Sequence, residues 1–553
     1  MNQICNIARY LPEMAVQFPY KAAIVFPHTR DNKNRVAYTF YTFKQLDEES
    51  NRFAHGFSKY GIKRGHKVSL MVRPCLEFIA LTFALFKIGA IPVLIDPGMG
   101  KANLLTCIRD VEPEALVAIP LAHIFKLFNP TAFKSVQYSV TVGKRWFWPG
   151  VALSDLRSRK KEPYIIADTR PEEMAAILFT TGSTGPAKGV VYFHGQMEAQ
   201  VNLIQSHFKI TESEVDLPVF PLFALFSTAF GITAVIPDMD PTKPAEVDPV
   251  KLVEAIDNFG VTHSFGSPAI WKRLAEYCVR KKRVLPSIKR ILLAGAPVDP
   301  KILLNYQNVL ENGETYTPYG ATESLPLASI SGTEVIKETG EISKQGKGTC
   351  VGLPFKQITI KIIKTIEEEI PIWDPSLLLA AGEIGEIVVK GPIVTREYYK
   401  KEKATRLAKI KEGKEVWHRM GDVGYLDEKG RLWFCGRKNH RVTCPTKTYY
   451  SVCCEAIFNQ VDYIFRTALV GIKYRNEYQP AIAVELINKS EALNLERLKE
   501  LKELATAYEH TKEIKVFLQH PAFPVDIRHN AKIFREKLTT WAQAMVDSEV
   551  MAE

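Results

Sequence analysis

The stretch Leu178-Phe-Thr-Thr-Gly-Ser-Thr-Gly-Pro-Ala-Lys-Gly-Val190 decides how this chain is read. Residues 175–179 are apolar, as a buried strand requires, and they run into a loop dense in glycine and hydroxyl groups. Thr180, Thr181, Ser183 and Thr184 offer hydroxyl donors. Gly182, Gly185 and Gly189 allow backbone N–H groups to turn toward an anion, and Lys188 adds a point charge. Together these are the parts of a polyphosphate cradle. The loop is not a P-loop, because Ala187 precedes the lysine and Gly189 follows it, where that motif needs Gly before and Ser or Thr after.

On either side of this loop the pattern alternates helix and strand. Residues 43–60 read as an amphipathic helix, 67–72 as a short strand, 78–88 as a helix and 91–95 as a buried strand. The alternation returns with a helix at 250–259, a strand at 262–265, a helix at 268–282 and a strand at 290–294. Such alternation predicts an α/β protein. From 383 the texture changes to glycine-punctuated strands, with a hairpin expected over 424–434. A domain boundary is expected near Gly436-Arg-Lys-Asn439. The remainder has its own α/β pattern: Leu495, Leu498, Leu501, Ala505 and Tyr508 share one helix face, and a strand follows at 513–518.

Composition bounds the alternatives. At roughly 150 residues per domain, 553 residues imply three or four domains or subdomains. The net charge of +11 suits an enzyme that handles polyanions. The basic runs 157–161 and 280–283 lack the interleaved aromatics of a single-strand binder, so no nucleic acid partner is expected. Nine cysteines without a CxxC pair predict free thiols in a reducing, cytoplasmic setting. The N-terminus has no secretory h-region. Residues 217–236 are uncharged and of spanning length, but Pro218, Pro221 and Gly231 break them up as a buried strand–turn–helix would.

Further motifs follow the phosphate loop in a telling order: Ala294-Gly-Ala-Pro297, Tyr319-Gly-Ala-Thr-Glu323, Trp417-His-Arg-Met-Gly-Asp422, Gly436-Arg-Lys438 and Pro524-Val-Asp-Ile-Arg-His-Asn-Ala-Lys532. With the loop, they closely resemble the adenylate-forming superfamily of acyl-CoA synthetases, luciferases and peptide-synthetase adenylation domains. The resemblance spans essentially the whole chain. It implies a large N-terminal domain of layered sheets and helices (1–436) and a small, mobile α/β C-terminal lid (437–553), with ATP and Mg2+ as cofactors. It also implies residue roles. Thr180, Thr181, Gly182, Ser183, Thr184 and Lys188 would cradle phosphates, and Gly295, Ala296 and Pro297 would flank adenine. Tyr319 and Gly320 would meet the base, Thr322 the α-phosphate, and Glu323 the metal. Asp422 and Arg437 would hold the ribose, Lys438 would be the hinge, and Lys532 the catalytic lysine. The chemistry agrees with two of these: a hard cation takes a carboxylate oxygen, and a carboxylate accepts two hydroxyls.

Departures from the superfamily pattern point to a subclass. Acyl-CoA synthetases usually carry a glycine just after the hinge, where backbone meets the thiol arm. Here Lys438-Asn-His-Arg-Val-Thr-Cys444 has none, and Ala224 stands where a histidine is common. The strings Met71-Val-Arg-Pro74, Val235-Ile-Pro-Asp-Met-Asp-Pro241 and Arg431-Leu-Trp-Phe-Cys-Gly-Arg-Lys438 are instead very similar to bacterial β-lactone synthetases of olefin biosynthesis. That likeness implies adenylation of a β-hydroxy fatty acid, followed by attack of its own hydroxyl on the activated carbonyl. The alternatives are a fatty acyl-CoA or acyl-AMP ligase and a non-catalytic binding member. The base that takes the hydroxyl proton is not evident; His418, His440 and His529 are close in the motifs but read as structural. Residues 221–230 and 265–271 fit either an acyl pocket or plain core. Peripheral association with a membrane or a pathway enzyme is compatible with a lipid substrate, and no oligomeric state is implied.

Overall fold

In the computed structural model, residues 4–160, 162–180, 187–220, 223–474, 477–525 and 533–550 are described. The α/β expectation is met by two seven-stranded sheets, each mostly parallel. One runs in the order 314–316, 290–293, 263–266, 215–218, 233–235, 22–30, 36–42, and only its last pair is antiparallel. The other runs 151–152, 138–141, 115–118, 67–71, 91–95, 174–180, 188–193 and likewise ends in an antiparallel pair. Most of the parallel strands are short and largely buried, as strands covered by helices on both faces must be.

Two of the helices beside these sheets are Phe43–Tyr60 and Leu76–Lys87. Phe43–Tyr60 begins at a capping box, in which Thr42 and Gln45 satisfy each other's backbone N–H, and ends at Gly61, whose φ of 108° would strain any other residue. Leu76–Lys87 is apolar on nearly every side, and it is buried from Phe78 to Lys87. Its buried Lys87 is held by Asp47 Oδ1 at 2.6 Å, Ser50 Oγ at 2.7 Å and Asn51 Oδ1 at 2.6 Å, so the charge interrupting that apolar run is paired inside the core.

A third, antiparallel sheet holds the strands 319–321, 324–329, 349–354, 432–437, 415–426, 385–390 and 359–363, with 409–412 on its flank. The predicted hairpin is present as Glu415–Leu426 against Leu432–Arg437. One continuous core draws on all three sheets: Ile24, Val68 and Ile387 belong to it together. Beyond the turn Lys438–His440, the chain forms a three-stranded sheet (464–474, 477–486, 516–519) with the helices Ser451–Phe458, Leu495–Thr506 and Arg535–Val550, packed in clusters of their own. On Leu495–Thr506 the expected inward face is confirmed at Leu501 and Ala505. Leu495 differs: it is 87% exposed, because it opens the helix beyond the reach of the sheet.

The uncharged stretch 217–236 is indeed strand–turn–helix in character: Val215–Pro218, then Ala224–Ala229, then Thr233–Val235. Among the described residues, no helix is long and apolar enough to cross a membrane. All nine cysteines are free.

Candidate active site

The C-terminal ends of the parallel strands and the edge of the antiparallel sheet enclose a cavity of about 1040 Å³. Open α/β sheets bind ligands at this end of their strands. One arm of the cavity is polar and the other aromatic.

The polar arm is organised by the hairpin. Antiparallel register places Asp422 opposite Arg437, and the Arg437 Nη1 lies 2.9 Å from Asp422 Oδ1 as an ion pair. Tyr319, in the edge strand Tyr319–Ala321, donates its hydroxyl to Asp422 Oδ2 at 2.5 Å. Burial pushes the Asp422 carboxyl up, while the Arg437 guanidinium opposes the shift. Burial beside that carboxylate also holds the Tyr319 phenol well above its usual range. The Arg437 contact is electrostatic but not aligned as a hydrogen bond, so Oδ1 remains a buried acceptor without a hydrogen-bond donor among the described residues. Asp422 therefore lies buried just behind the polar arm, with Tyr319 and Arg437, which do line the cavity, gathered on its carboxylate.

The tight turn after Ala321 delivers Thr322 and Glu323 to the same arm. A Cβ on Gly320 would stand 2.7 Å from Ser324 O, so glycine is required for this turn. Tyr192 donates to Thr322 O at 2.6 Å. The Glu323 carbonyl accepts from Thr395 N and Oγ1, both at 2.9 Å, and its Oε1 accepts from the Tyr398 hydroxyl at 2.8 Å. Below this, buried Lys409 donates to Thr395, and its amine is pushed down to about 7 by burial against the attraction of Glu323. Glu323 is therefore a fixed carboxylate with acceptor capacity to spare, beside Lys188, whose Nζ lies 5.0 Å from the Tyr398 ring.

Of the phosphate loop, Thr180 ends the strand Met174–Thr180 with Lys188 as its register partner. Thr181, Gly182, Ser183 and Thr184 lie outside the described residues, as do His529 and Lys532. Gly189 corrects its assigned part in the cradle. It sits inside the strand Lys188–Phe193, where a Cβ would meet Phe179 Cζ at 2.9 Å and Ile177 Cγ2 at 3.0 Å, so its bareness serves close packing. Gly295 lines the cavity with φ of 90°, and Ala296 and Pro297 continue the bend toward the helix Pro300–Gln307.

Lys438 is buried. Its Nζ lies 3.2 Å from Glu386 Oε2 and also donates to Ile366 O. Arg419 grips the same buried Glu386 through Nη2–Oε2 at 2.7 Å and Nε–Oε1 at 3.1 Å. His418 is buried with Nδ1 3.2 Å from Ala408 O, and burial with Lys409 nearby keeps it well below its usual range, so it is neutral.

The aromatic arm contains Phe223, Phe226, Phe230 and Phe265 with Leu292 and Ile204. The two readings left open for these segments thus separate: Phe223 to Phe230 and Phe265 line the cavity, whereas Trp271 is wholly buried in core. Sequence reasoning did not find Tyr398, Thr395, Lys409, Glu386 or Arg419 as parts of the site. The one available signal was a charge within an apolar strand, as at Glu386 in Gly385–Lys390.

A family model described as AMP-binding enzyme matches residues 11–399. The chain belongs to the AMP-binding enzyme family. It is 45% identical over 557 residues to an olefin beta-lactone synthetase of Stenotrophomonas maltophilia (strain K279a), covering 99% of this chain and 100% of that protein. An olefin beta-lactone synthetase of Xanthomonas campestris pv. campestris is 44% identical, with 98% of each chain covered. Among solved structures, the amide bond synthetase McbA from Marinactinospora thermotolerans aligns with a TM-score of 0.78 at 21% identity over 97% of this chain and 100% of that one, a likeness of fold.

Proposed function

We propose that this AMP-binding enzyme activates a β-hydroxy fatty acid with ATP and closes it to a β-lactone. The observation that carries the reading is the cavity itself: a polar arm bearing Lys188, Tyr319, Thr322, Glu323 and Arg437 is continuous with an aromatic arm of Phe223, Phe226, Phe230 and Phe265 fit for an acyl chain. Near-full-length similarity to olefin beta-lactone synthetases supports it over a CoA ligase.

In this reading Asp422 Oδ1 accepts from the ribose hydroxyls, with Arg437 beside it, and the Tyr319 ring and the bend at Gly295 to Pro297 flank the base. Lys188 and the loop Thr180 to Thr184 hold the phosphates. The substrate carboxylate attacks the α-phosphorus, expelling pyrophosphate and leaving an acyl-adenylate. Thr322 and Lys532 stabilise charge on the α-phosphate. The β-hydroxyl oxygen then bonds to the activated carbonyl carbon, the carbon–oxygen bond to AMP breaks with its electron pair, and the hydroxyl proton is released. Holding hydroxyl and carbonyl in near-attack geometry is the enzyme's contribution to that step.

Magnesium fits the donor set. A hard cation takes one carboxylate oxygen and fills its other positions with phosphate and water, and Glu323 offers such a carboxylate, with acceptor capacity left beyond the Tyr398 hydroxyl. Glu323, oriented by Tyr398 and Thr395, would hold it, and it would supply neutralisation of phosphate charge. Residues 1–436 and 437–553 are assigned as main domain and lid, with Lys438 at the hinge.

The test is proton NMR of products from ATP, magnesium and a long-chain β-hydroxy acid, with and without CoA. A β-lactone ring signal with AMP release, indifferent to CoA, is expected. A thioester formed only with CoA would overturn the reading in favour of a ligase.

A further inference from the structure

The aromatic arm ends on a polar floor that the reaction does not use. Asp216 and His263 are register partners on adjacent parallel strands, so their side chains share a face, and both line the cavity. Each is 4% exposed. Ser227 Oγ donates to Asp216 Oδ2 at 2.5 Å. Asp216 Oδ1 and His263 Nδ1 have no hydrogen-bond partner among the described residues. The nearest cation does not serve them: Arg290, the next register partner, is turned into an ion pair with Glu214, Nη2 to Oε1 3.1 Å. Burial raises the Asp216 carboxyl to about 7 and lowers the His263 imidazole to about 3, so in neutral solution the imidazole is uncharged and the carboxyl keeps its proton about half the time.

Register also fixes the depth of this floor. Phe265 and Leu292 are paired and line the arm, and Gly295 lies three residues further along at the nucleotide end. Asp216 and His263 lie two residues the other way, about 7 Å deeper at roughly 3.3 Å per residue. The β-hydroxyl, one carbon removed from the reacting carboxyl's neighbour, stays at the nucleotide end, so these groups are placed to meet the far end of a chain.

We propose that Asp216 and His263 form a polar end stop that limits the length of acyl chain the arm accepts. The inference rests on the acyl-activating reading of the cavity and adds its selectivity. A water held between Asp216 Oδ1 and His263 Nδ1 satisfies both atoms. A methyl end pushed onto the floor displaces that water and leaves two buried polar atoms unpaired, whereas a shorter chain leaves them hydrated.

The experiment measures kcat/KM for pyrophosphate release with a homologous series of β-hydroxy acids and of unsubstituted fatty acids. The wild-type enzyme is expected to show a drop of tenfold or more within two methylenes of one chain length, equivalent to about 1.4 kcal/mol per tenfold. Asp216→Leu and His263→Leu move the drop to longer chains, while Asp216→Asn and His263→Gln keep it near its original length. A gradual wild-type profile, or a drop unmoved in the leucine variants, overturns the end stop. So does a tenfold preference for an ω-hydroxy chain over its methyl-ended counterpart, which would make the floor a hydroxyl-binding subsite. Scoring pyrophosphate rather than lactone keeps this test separate from the ring-closure reading, which the NMR assay decides.

Discussion

Glu386→Gln tests the strongest electrostatic element near the cavity. Glu386 is 2% exposed at its side chain and receives Arg419 (3% exposed) and Lys438 (9% exposed) together. The substitution preserves shape and removes the one buried negative charge these two cations share. Arg419 would keep the carbonyls of Glu368 and Leu407, at 2.7 and 3.1 Å, and that of Ile366, and among the described residues Lys438 would keep Ile366 O and Glu367, 3.7 Å away. Removing one partner of a buried ion pair typically costs about 3–5 kcal/mol, because the carbonyls left behind offset the stranded charges only in part. Against a total stability of roughly 5–15 kcal/mol, that is a large share. The assay is urea denaturation of both proteins, followed by Glu386→Gln/Arg419→Met. The single variant is expected to lose stability in that range, and the double variant to recover part of it by removing the stranded guanidinium. A loss below about 1 kcal/mol in the single variant would refute the reasoning, because it would mean that the cations are solvated or paired elsewhere.

Asp422→Asn removes the charged acceptor that the proposed function sets against the ribose and is expected to weaken ATP binding about 10- to 100-fold, as hydrogen bonds to charged groups are worth roughly 1.5–3 kcal/mol; an unchanged KM for ATP would count against the assignment. Tyr398→Phe frees Glu323 Oε1 from its 2.8 Å hydrogen bond and should raise the magnesium concentration needed for half-maximal pyrophosphate release, which a magnesium titration reads directly. Asp216 supplies a pH test. Its folded value of about 7 lies above the 3.8 of an ordinary aspartate, so its favourable contribution is complete below about 4 and is lost as pH rises through 7. Three units correspond to at most about 4 kcal/mol. Asp216→Asn should therefore flatten the decline in stability between those pH values. His263 acts in the opposite sense, losing its contribution as pH falls from 6.5 toward 3, and should keep its effect in that variant.

Local sequence determined a good deal. The helix Phe43–Tyr60 matches its predicted limits because Thr42, Gln45 and Gly61 write both ends into the chain. The strand Ile91–Ile95 and the hairpin over 415–437 follow from apolar runs bounded by turn residues. The helix limits at 76–87 and the strand at 516–519 shifted by a few residues, since packing rather than a cap sets those ends. The identities of Asp422, Arg437, Tyr319 and Glu323 as a group were legible because their motifs are contiguous. Their mutual contacts were not: Tyr319 and Asp422 meet across 103 positions, through an edge strand brought against a hairpin. Glu386, Arg419 and Lys438 converge from three separate segments, and only burial turns their charges into one network. Likewise, Asp216 and His263 are unremarkable residues in short strands until parallel register sets them side by side in a low-dielectric channel. Sequence determined which chemical groups are present and which segments are helix or strand, because capping and periodicity act within a few residues. Tertiary structure decided which groups are desolvated and which face one another, because those depend on contacts between segments far apart in the chain.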